Sequence, residues 1–251
     1  MTPLLRAFTD PGLLAHRGLH GDGRPENALS AFRAAADAGY GVELDVQPSA
    51  DGVAMAFHDA TLDRMTARTG PIDALDAGAL RATPLHGGGG EGIPTLAAAL
   101  DAVAGRTPVL IEVKDRDGAM GPDVGALEAA VADAVRGYDG PVAVMSFNPH
   151  SVAAFARLLP DVPRGLTTAR FDTGHWPTLP DDTRARLAKL TDAEAVGASF
   201  VSHQADALDM ASVRAFRARG RPVLCWTIRT ADQARAVRPY ADAITFEGFR
   251  P

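Results

Sequence analysis

Short runs of apolar, often β-branched residues alternate along the chain with alanine-rich segments of helical period. Leu13-Leu14-Ala15 reads as a first strand. Residues 28–38 read as a helix that opens after Pro25-Glu26 and stops at Gly39. Val42-Glu43-Leu44-Asp45-Val46 reads as a second strand, and residues 53–57 as a further extended piece. Beyond that, strands are expected at 108–113, 142–145, 164–167, 199–202, 223–228 and 243–246. Helices are expected at 96–103, 124–135, 152–159, 184–195, 210–219 and 231–237.

Counted from residue 13, this gives eight β-then-α units. Alternating β and α elements imply a parallel sheet. Eight units in 251 residues is the size of a (β/α)8 TIM barrel. The alternative is an open doubly wound sheet. No Gly-x-Gly-x-x-Gly or phosphate-loop signature follows any strand, so the usual nucleotide signals of open sheets are missing. Residues 59–92 break the rhythm and contain Gly87-Gly88-Gly89-Gly90, which holds a rigid element only at high entropic cost. That stretch reads as a short insertion after the second strand. Residues 1–251 otherwise read as one barrel domain.

Composition narrows the classes. Hydrophobic residues make up 46% of the chain, enough for a sizeable core. The net charge of −6 argues against nucleic acid as a partner, because phosphate backbones select basic surfaces. No apolar run approaches the roughly 20 residues that span a bilayer, so stable membrane insertion is not expected. The first ten residues lack a basic start followed by a long apolar run. A cytoplasmic location is the expectation. The single cysteine, Cys225, lies in the apolar run Val223-Leu224-Cys225-Trp226 and reads as a buried small hydrophobe. A monomer and a homodimer are both compatible with these features.

Barrel sites form at the C-terminal ends of strands, and the chemistry-bearing residues collect there. His16-Arg17 ends the first strand. Glu43 and Asp45 stand two apart on the second strand and therefore share a face, while Val42, Leu44 and Val46 point toward the helices. Glu112 and Lys114 share a face in the same way, and His58-Asp59 ends the extended piece at 53–57. Burying two carboxylates together is costly without positive charge, and a divalent cation is the simplest compensation. Oxygen ligands from Glu43, Asp45 and Glu112 suit Mg²⁺ or Ca²⁺, with Mn²⁺ a third candidate. Ligation by either histidine would bring in Zn²⁺. Free imidazoles would instead serve as an acid and a base near neutral pH. Arg17 offers a planar fork for phosphate oxygens, and Lys114 a point charge. His20, His86, His150 and His175 read as surface or hydrogen-bonded residues.

The ordered set of motifs resembles the glycerophosphodiester phosphodiesterase family. It runs from His16-Arg17-Gly18 through Pro25-Glu26-Asn27, Glu43-Leu44-Asp45-Val46 and Asp51-Gly52-Val53 to the stretch His58-Asp59-Ala60-Thr61-Leu62-Asp63-Arg64-Met65-Thr66. Ile93-Pro94-Thr95-Leu96, Ile111-Glu112-Val113-Lys114, Ser146-Phe147-Asn148 and Trp226-Thr227-Ile228 follow in order. The resemblance implies a TIM barrel with a small insertion. It implies hydrolysis of a small-molecule glycerophosphodiester to glycerol 3-phosphate and an alcohol. It also implies one divalent cation on Glu43, Asp45 and Glu112, His16 and His58 as the acid–base pair, and Arg17 and Lys114 on phosphate. Glu26 and Asn27 would support the site, and Phe147 and Trp226 would line the substrate pocket. The chain departs from the family pattern at Ala97, at Arg229 and at Phe246-Glu247. Two rival readings remain: a sphingomyelinase D or lysophospholipase D-like enzyme on the same barrel, and a phosphate-binding barrel without catalysis. Which histidine is the acid, and whether a cyclic phosphate forms, stay open.

Overall fold

The computed structural model describes residues 3–251; Met1 and Thr2, the start of the segment read for a leader, lie outside it. A short helix α1 (Pro3–Arg6) precedes strand β1 (Leu13–Ala15), helix α2 (Leu29–Asp37), β2 (Gly41–Pro48) and β3 (Ala54–Ala56). Then come α3 (Ala77–Arg81), α4 (Leu96–Val103), β4 (Val109–Val113), α5 (Ala126–Arg136), β5 (Val142–Ser146) and α6 (Pro149–Leu158). The chain closes with β6 (Arg164–Thr168), α7 (Asp181–Ala188), β7 (Phe200–Gln204), α8 (Ala211–Ala218), β8 (Val223–Ile228), α9 (Ala231–Val237) and β9 (Ala243–Phe246).

The strands pair in the order β1-β9-β8-β7-β6-β5-β4-β2, and β1 pairs with β2 to close the ring. All eight staves are parallel, so this is a (β/α)8 barrel. β3 is antiparallel to the end of β2 and is not a stave. No helix among the described residues is long and apolar enough to cross a membrane.

Alternation along the strands creates two cores. Val42, Leu44 and Val46 pack outward with Phe32 and Ala35 of α2 and Leu96, Ala99 and Leu100 of α4. Inside the barrel, Leu14, Leu110, Ala143, Met145, Phe200 and Leu224 fill the lower layer, and Leu5 and Phe8 plug its base. Two inward glycines make that filling possible. A Cβ on Gly41 would meet Leu14 Cδ2 at 2.5 Å, and one on Gly165 would meet the Phe200 ring at 2.3 Å. The polar layer that carries the site rests on this packed floor.

One sequence expectation needs correction. The helix expected at 184–195 begins at Asp181 and ends at Ala188. Leu190 adopts a left-handed φ of 55°, while Arg186 bonds Asp192 at 2.6 Å and receives a hydrogen bond from Thr191 Oγ1 at 3.0 Å on its carbonyl, so the chain turns back on itself. The stretch 59–92, read as an insertion, carries structure of its own. It holds a 3₁₀ turn at Ile72–Ala74 and α3, and Leu62, Ile72, Leu80, Leu85 and Ile93 pack with Met55 and Phe57 into a core of its own. Its Gly87–Gly90 turn ends at Glu91, whose carboxylate accepts from Ser30 N at 3.0 Å and Ser30 Oγ at 2.6 Å and so ties the stretch to α2.

Candidate active site

β1 ends where the site begins. His16 N donates to Phe246 O at 2.9 Å, which sets His16 beside the residue after β9. Arg17 takes a left-handed φ of 55°, and its amide donates to Glu43 Oε2 at 3.0 Å. Its guanidinium donates to Glu26 Oε1 at 2.7 Å and brings Nε within 3.3 Å of Asp45 Oδ2. Asn27, also at positive φ and buried, donates Nδ2 to Asp45 Oδ2 at 2.9 Å and accepts from the Asp45 amide at 3.3 Å. Glu26 and Asn27 therefore brace Arg17 and Asp45 respectively.

β2 and β4 supply the carboxylates. Asp45 and Glu112 are direct partners in the parallel register, and Glu43 lies one inward step below Asp45. All three are buried, and one oxygen from each lies within 4.8 Å of the others. Lys114 Nζ reaches Asp45 Oδ1 at 2.6 Å and also bonds Glu112. Burial, followed by the charges of Asp45 and Glu112, pushes the Glu43 carboxyl well above its ordinary range. Burial acts the same way on Asp45, but Lys114, His58, Arg17 and His16 outweigh it and hold Asp45 well below the usual carboxylate range. With Lys114 and Arg17 both drawn to Asp45, Glu43 is left short of compensating positive charge. An all-oxygen set of this kind fits a hard divalent cation.

Each expected histidine is pinned by a carboxylate. His58 Nδ1 lies 2.6 Å from Asp59 Oδ1, and Gln47 Nε2 donates to the His58 carbonyl at 3.1 Å. Burial, then the Lys114 charge, lowers the His58 pKa despite the opposing Asp45. His16 Nδ1 lies 2.5 Å from Glu247 Oε2. The Glu247 carboxyl is held well below its ordinary range by His16, His20 and Arg229. With Nδ1 engaged, each ring has Nε2 left for chemistry.

These groups line one cavity of about 190 Å³, formed by His16, Arg17, Glu43, Asp45, His58, Glu112, Lys114, Met145, Phe147, Trp226, Thr227, Arg229 and Thr245. Phe147 and Trp226 form its aromatic wall, edge to face at 5.7 Å between centroids, and Trp226 Nε1 donates to Ser202 O at 3.0 Å. A larger cavity of about 430 Å³ shares Trp226, Thr227 and Arg229 but none of the carboxylates or histidines. The smaller one holds the carboxylates and both histidines.

Sequence reasoning treated Glu247 and Arg229 only as departures from a pattern. In the structure they are partners, with Arg229 Nε 2.7 Å from Glu247 Oε1. The signal was available, since Glu247 directly follows the last strand. Arg64 was likewise given no role, yet it binds Asp59 at 2.6 Å and Glu26 at 2.6 Å. His20, read as a surface or hydrogen-bonded residue, is part-buried with Nε2 3.7 Å from Glu247 Oε2. His203 was not singled out; it is fully buried in β7, with Nδ1 2.7 Å from Thr168 Oγ1. Cys225 is buried as expected, and burial pushes its thiol up to about 12.

This chain is similar to known proteins. The model of the glycerophosphoryl diester phosphodiesterase family matches residues 16–245. A Mycobacterium tuberculosis protein named probable glycerophosphodiester phosphodiesterase 2 is 32% identical over 225 residues, which cover 87% of this chain and 80% of that one. A glycerophosphodiester phosphodiesterase of Caldanaerobacter subterraneus is 31% identical over 166 residues, a match spanning 65% of its length, just under two thirds. Among solved structures, an Oleispira antarctica phosphodiesterase in complex with the product sn-glycerol-3-phosphate superposes with a TM-score of 0.78 at 26% identity, covering 96% of this chain and 94% of that one.

Proposed function

The chain belongs to the glycerophosphoryl diester phosphodiesterase family, and from that premise we propose that it hydrolyses glycerophosphodiesters to glycerol 3-phosphate and an alcohol. One observation carries this reading. Two imidazoles, each fixed at Nδ1 by a carboxylate, line one cavity with three buried carboxylates and the three cationic side chains of Arg17, Lys114 and Arg229. That is the equipment for moving two protons around a phosphodiester. The product held by the Oleispira antarctica enzyme is the one this reaction would release.

Glu43, Asp45 and Glu112 would hold the divalent cation, Mg²⁺ or Ca²⁺ by their donor chemistry, with Mn²⁺ a third candidate. When bound, such an ion supplies positive charge against the non-bridging phosphate oxygens. Arg17 and Lys114 present further positive charge to the same oxygens. His58 is the better base: its lowered pKa keeps it neutral near pH 7, and donation of Nδ1–H to Asp59 leaves a lone pair on Nε2. It takes a proton from the attacking hydroxyl. His16, beside the ionised Glu247, then gives a proton to the departing alkoxide. Phe147 and Trp226 offer the alcohol group an apolar wall.

The test is a panel of glycerophosphocholine, glycerophosphoethanolamine, glycerophosphoglycerol and lysophospholipids, each assayed with Mg²⁺, Ca²⁺ and Mn²⁺. Glycerol 3-phosphate should appear from at least one glycerophosphodiester and disappear on chelation. Folded protein releasing none from any of them would overturn the reading. Release of a cyclic phosphate from a lysophospholipid, followed by ³¹P NMR, would redirect it to the lysophospholipase D-like class.

A further inference from the structure

A second cluster of donors stands beside the carboxylate set and has a different chemistry. His16, His20 and Glu247 each offer a ligand atom within 4.8 Å of the others, and Glu247 Oε2 faces both His16 Nδ1 and His20 Nε2. Two imidazoles with one carboxylate suit a borderline-soft ion, whereas the oxygen set suits a hard one. We propose that these three residues form a separate site for Zn²⁺ or a similar nitrogen-seeking ion, and that filling it silences the enzyme by capturing His16.

The geometry is close to what such an ion needs. Tetrahedral ligands about 2.0–2.1 Å from zinc sit roughly 3.3 Å from each other. Glu247 Oε2 is 2.5 Å from His16 Nδ1 and 3.7 Å from His20 Nε2, so these two gaps change by less than about 1 Å to admit the ion. Backbone contacts already fix the donors. β1 pairs with β9 through Ala15 and Phe246, which sets His16 and Glu247 side by side, and His20 N donates to Gly18 O at 2.9 Å. Arg229 occupies Glu247 Oε1 at 2.7 Å and leaves Oε2 to the histidines.

A second observation points to a ligand. His20 Nε2 is buried, yet makes no hydrogen bond among the described residues; 3.7 Å to Glu247 is too long for one. A buried ring nitrogen without a hydrogen bond is costly, and a cation placed between it and Oε2 would remove that cost.

The consequence falls on His16. Zinc takes a neutral imidazole, so ligation at Nδ1 displaces the proton shared with Glu247. The ring then keeps its Nε2 proton far more tightly than an imidazolium does and cannot pass it to a leaving alkoxide. This loss of activity rests on the proton role proposed for His16; binding of the ion does not. Because the oxygen set is separate, excess Mg²⁺ should not restore activity.

The experiment uses the full chain in saturating Mg²⁺, with Co²⁺ as a spectroscopic probe and Zn²⁺ in the assay. The wild type should develop the visible absorption of tetrahedral Co²⁺, and His20→Ala should not. His20→Ala should keep wild-type turnover without zinc and require at least about ten-fold more Zn²⁺ for half inhibition, in line with losing one ligand. His20→Gln serves the same comparison if the alanine variant fails to fold. Equal zinc sensitivity in wild type and variant, relief of inhibition by excess Mg²⁺, or a featureless Co²⁺ spectrum in the wild type would each overturn the site. If the wild type turns over no substrate, the Co²⁺ comparison still decides the site, and the failed turnover counts only against the hydrolase reading.

Discussion

Arg64 and Glu26 meet in a two-pronged pair, with Nη2 donating to Oε1 at 2.6 Å and Nη1 to Oε2 at 2.9 Å. Glu26 also receives Arg17, and Arg64 also grips Asp59, which holds His58. The Arg17 guanidinium and the proposed base thus hang on one four-residue chain of charges, Arg17-Glu26-Arg64-Asp59, joining the segment after β1 to the segment after β3. A partly exposed pair contributes little to stability by itself. Its effect is on orientation.

Arg64→Ala should therefore act on turnover. Loss of a partner that orients a functional side chain typically costs about 10- to 100-fold in activity. Turnover should fall by about that much in steady-state assays, while the melting temperature shifts little. Arg64→Lys should not rescue it, because an ammonium cannot make both bidentate contacts. Wild-type turnover in Arg64→Ala would show that His58 needs no such support.

Among the described residues, Lys114 is the one cation that bonds both Asp45 and Glu112. Removing one partner from a buried ion cluster costs about 3–5 kcal/mol because the remaining charges lose their compensation. Lys114→Met should lose stability of that order in EDTA. Divalent cation should then raise its melting temperature more than that of the wild type, since the ion replaces the missing charge. Thermal melts with and without Mg²⁺ or Ca²⁺ check this; equal ion-induced shifts in the two proteins would contradict it.

The barrel was legible in the sequence because each stave carries its own period. Glu43 and Asp45 announced their shared face two residues apart, and α4 was read to the residue from its period; in the structure Thr95 caps it, its Oγ1 accepting from Ala98 N at 3.2 Å. What stayed hidden depends on contacts between distant positions. Leu62, Leu80 and Ile93 build the small core of the insertion from residues too widely spaced to show a local period. The His16–Glu247 pair joins positions 231 apart, and only closure of the barrel brings them together. The 184–195 helix was overrun because alanine-rich propensity continues past Leu190, where the left-handed backbone and the Arg186–Asp192 pair end it.

The pH dependence of activity follows from His58. Its folded-state pKa lies below the ordinary 6.5, through burial first and the Lys114 charge second. A cation on the carboxylates would push it the same way. A base must be neutral, so activity is lost as pH falls through that depressed value and not at 6.5. The acid limb of kcat/KM should lie below the ordinary histidine range. His16→Ala or His58→Ala should cut turnover by roughly 10²-fold or more. Near-wild-type turnover in either metal-replete variant would remove that residue from the acid–base pair.

His203 gives a stability prediction separate from catalysis. It faces away from the cavity, in register with Thr168, and burial lowers its pKa from 6.5 to about 4. The unfolded chain therefore takes up a proton near pH 6.5 that the folded chain refuses until about pH 4. Between those values the unfolded state binds more protons, so stability falls as pH falls. The contribution is fully present above pH 6.5 and lost by about pH 4. A shift of this size corresponds to about 3 kcal/mol. His203→Gln cannot titrate and keeps a polar partner for Thr168. Its unfolding free energy, from denaturant melts between pH 7 and 4, should decline less steeply than the wild type's by about that amount. Parallel curves for the two proteins would mean that His203 protonates in the folded state as readily as in the unfolded one.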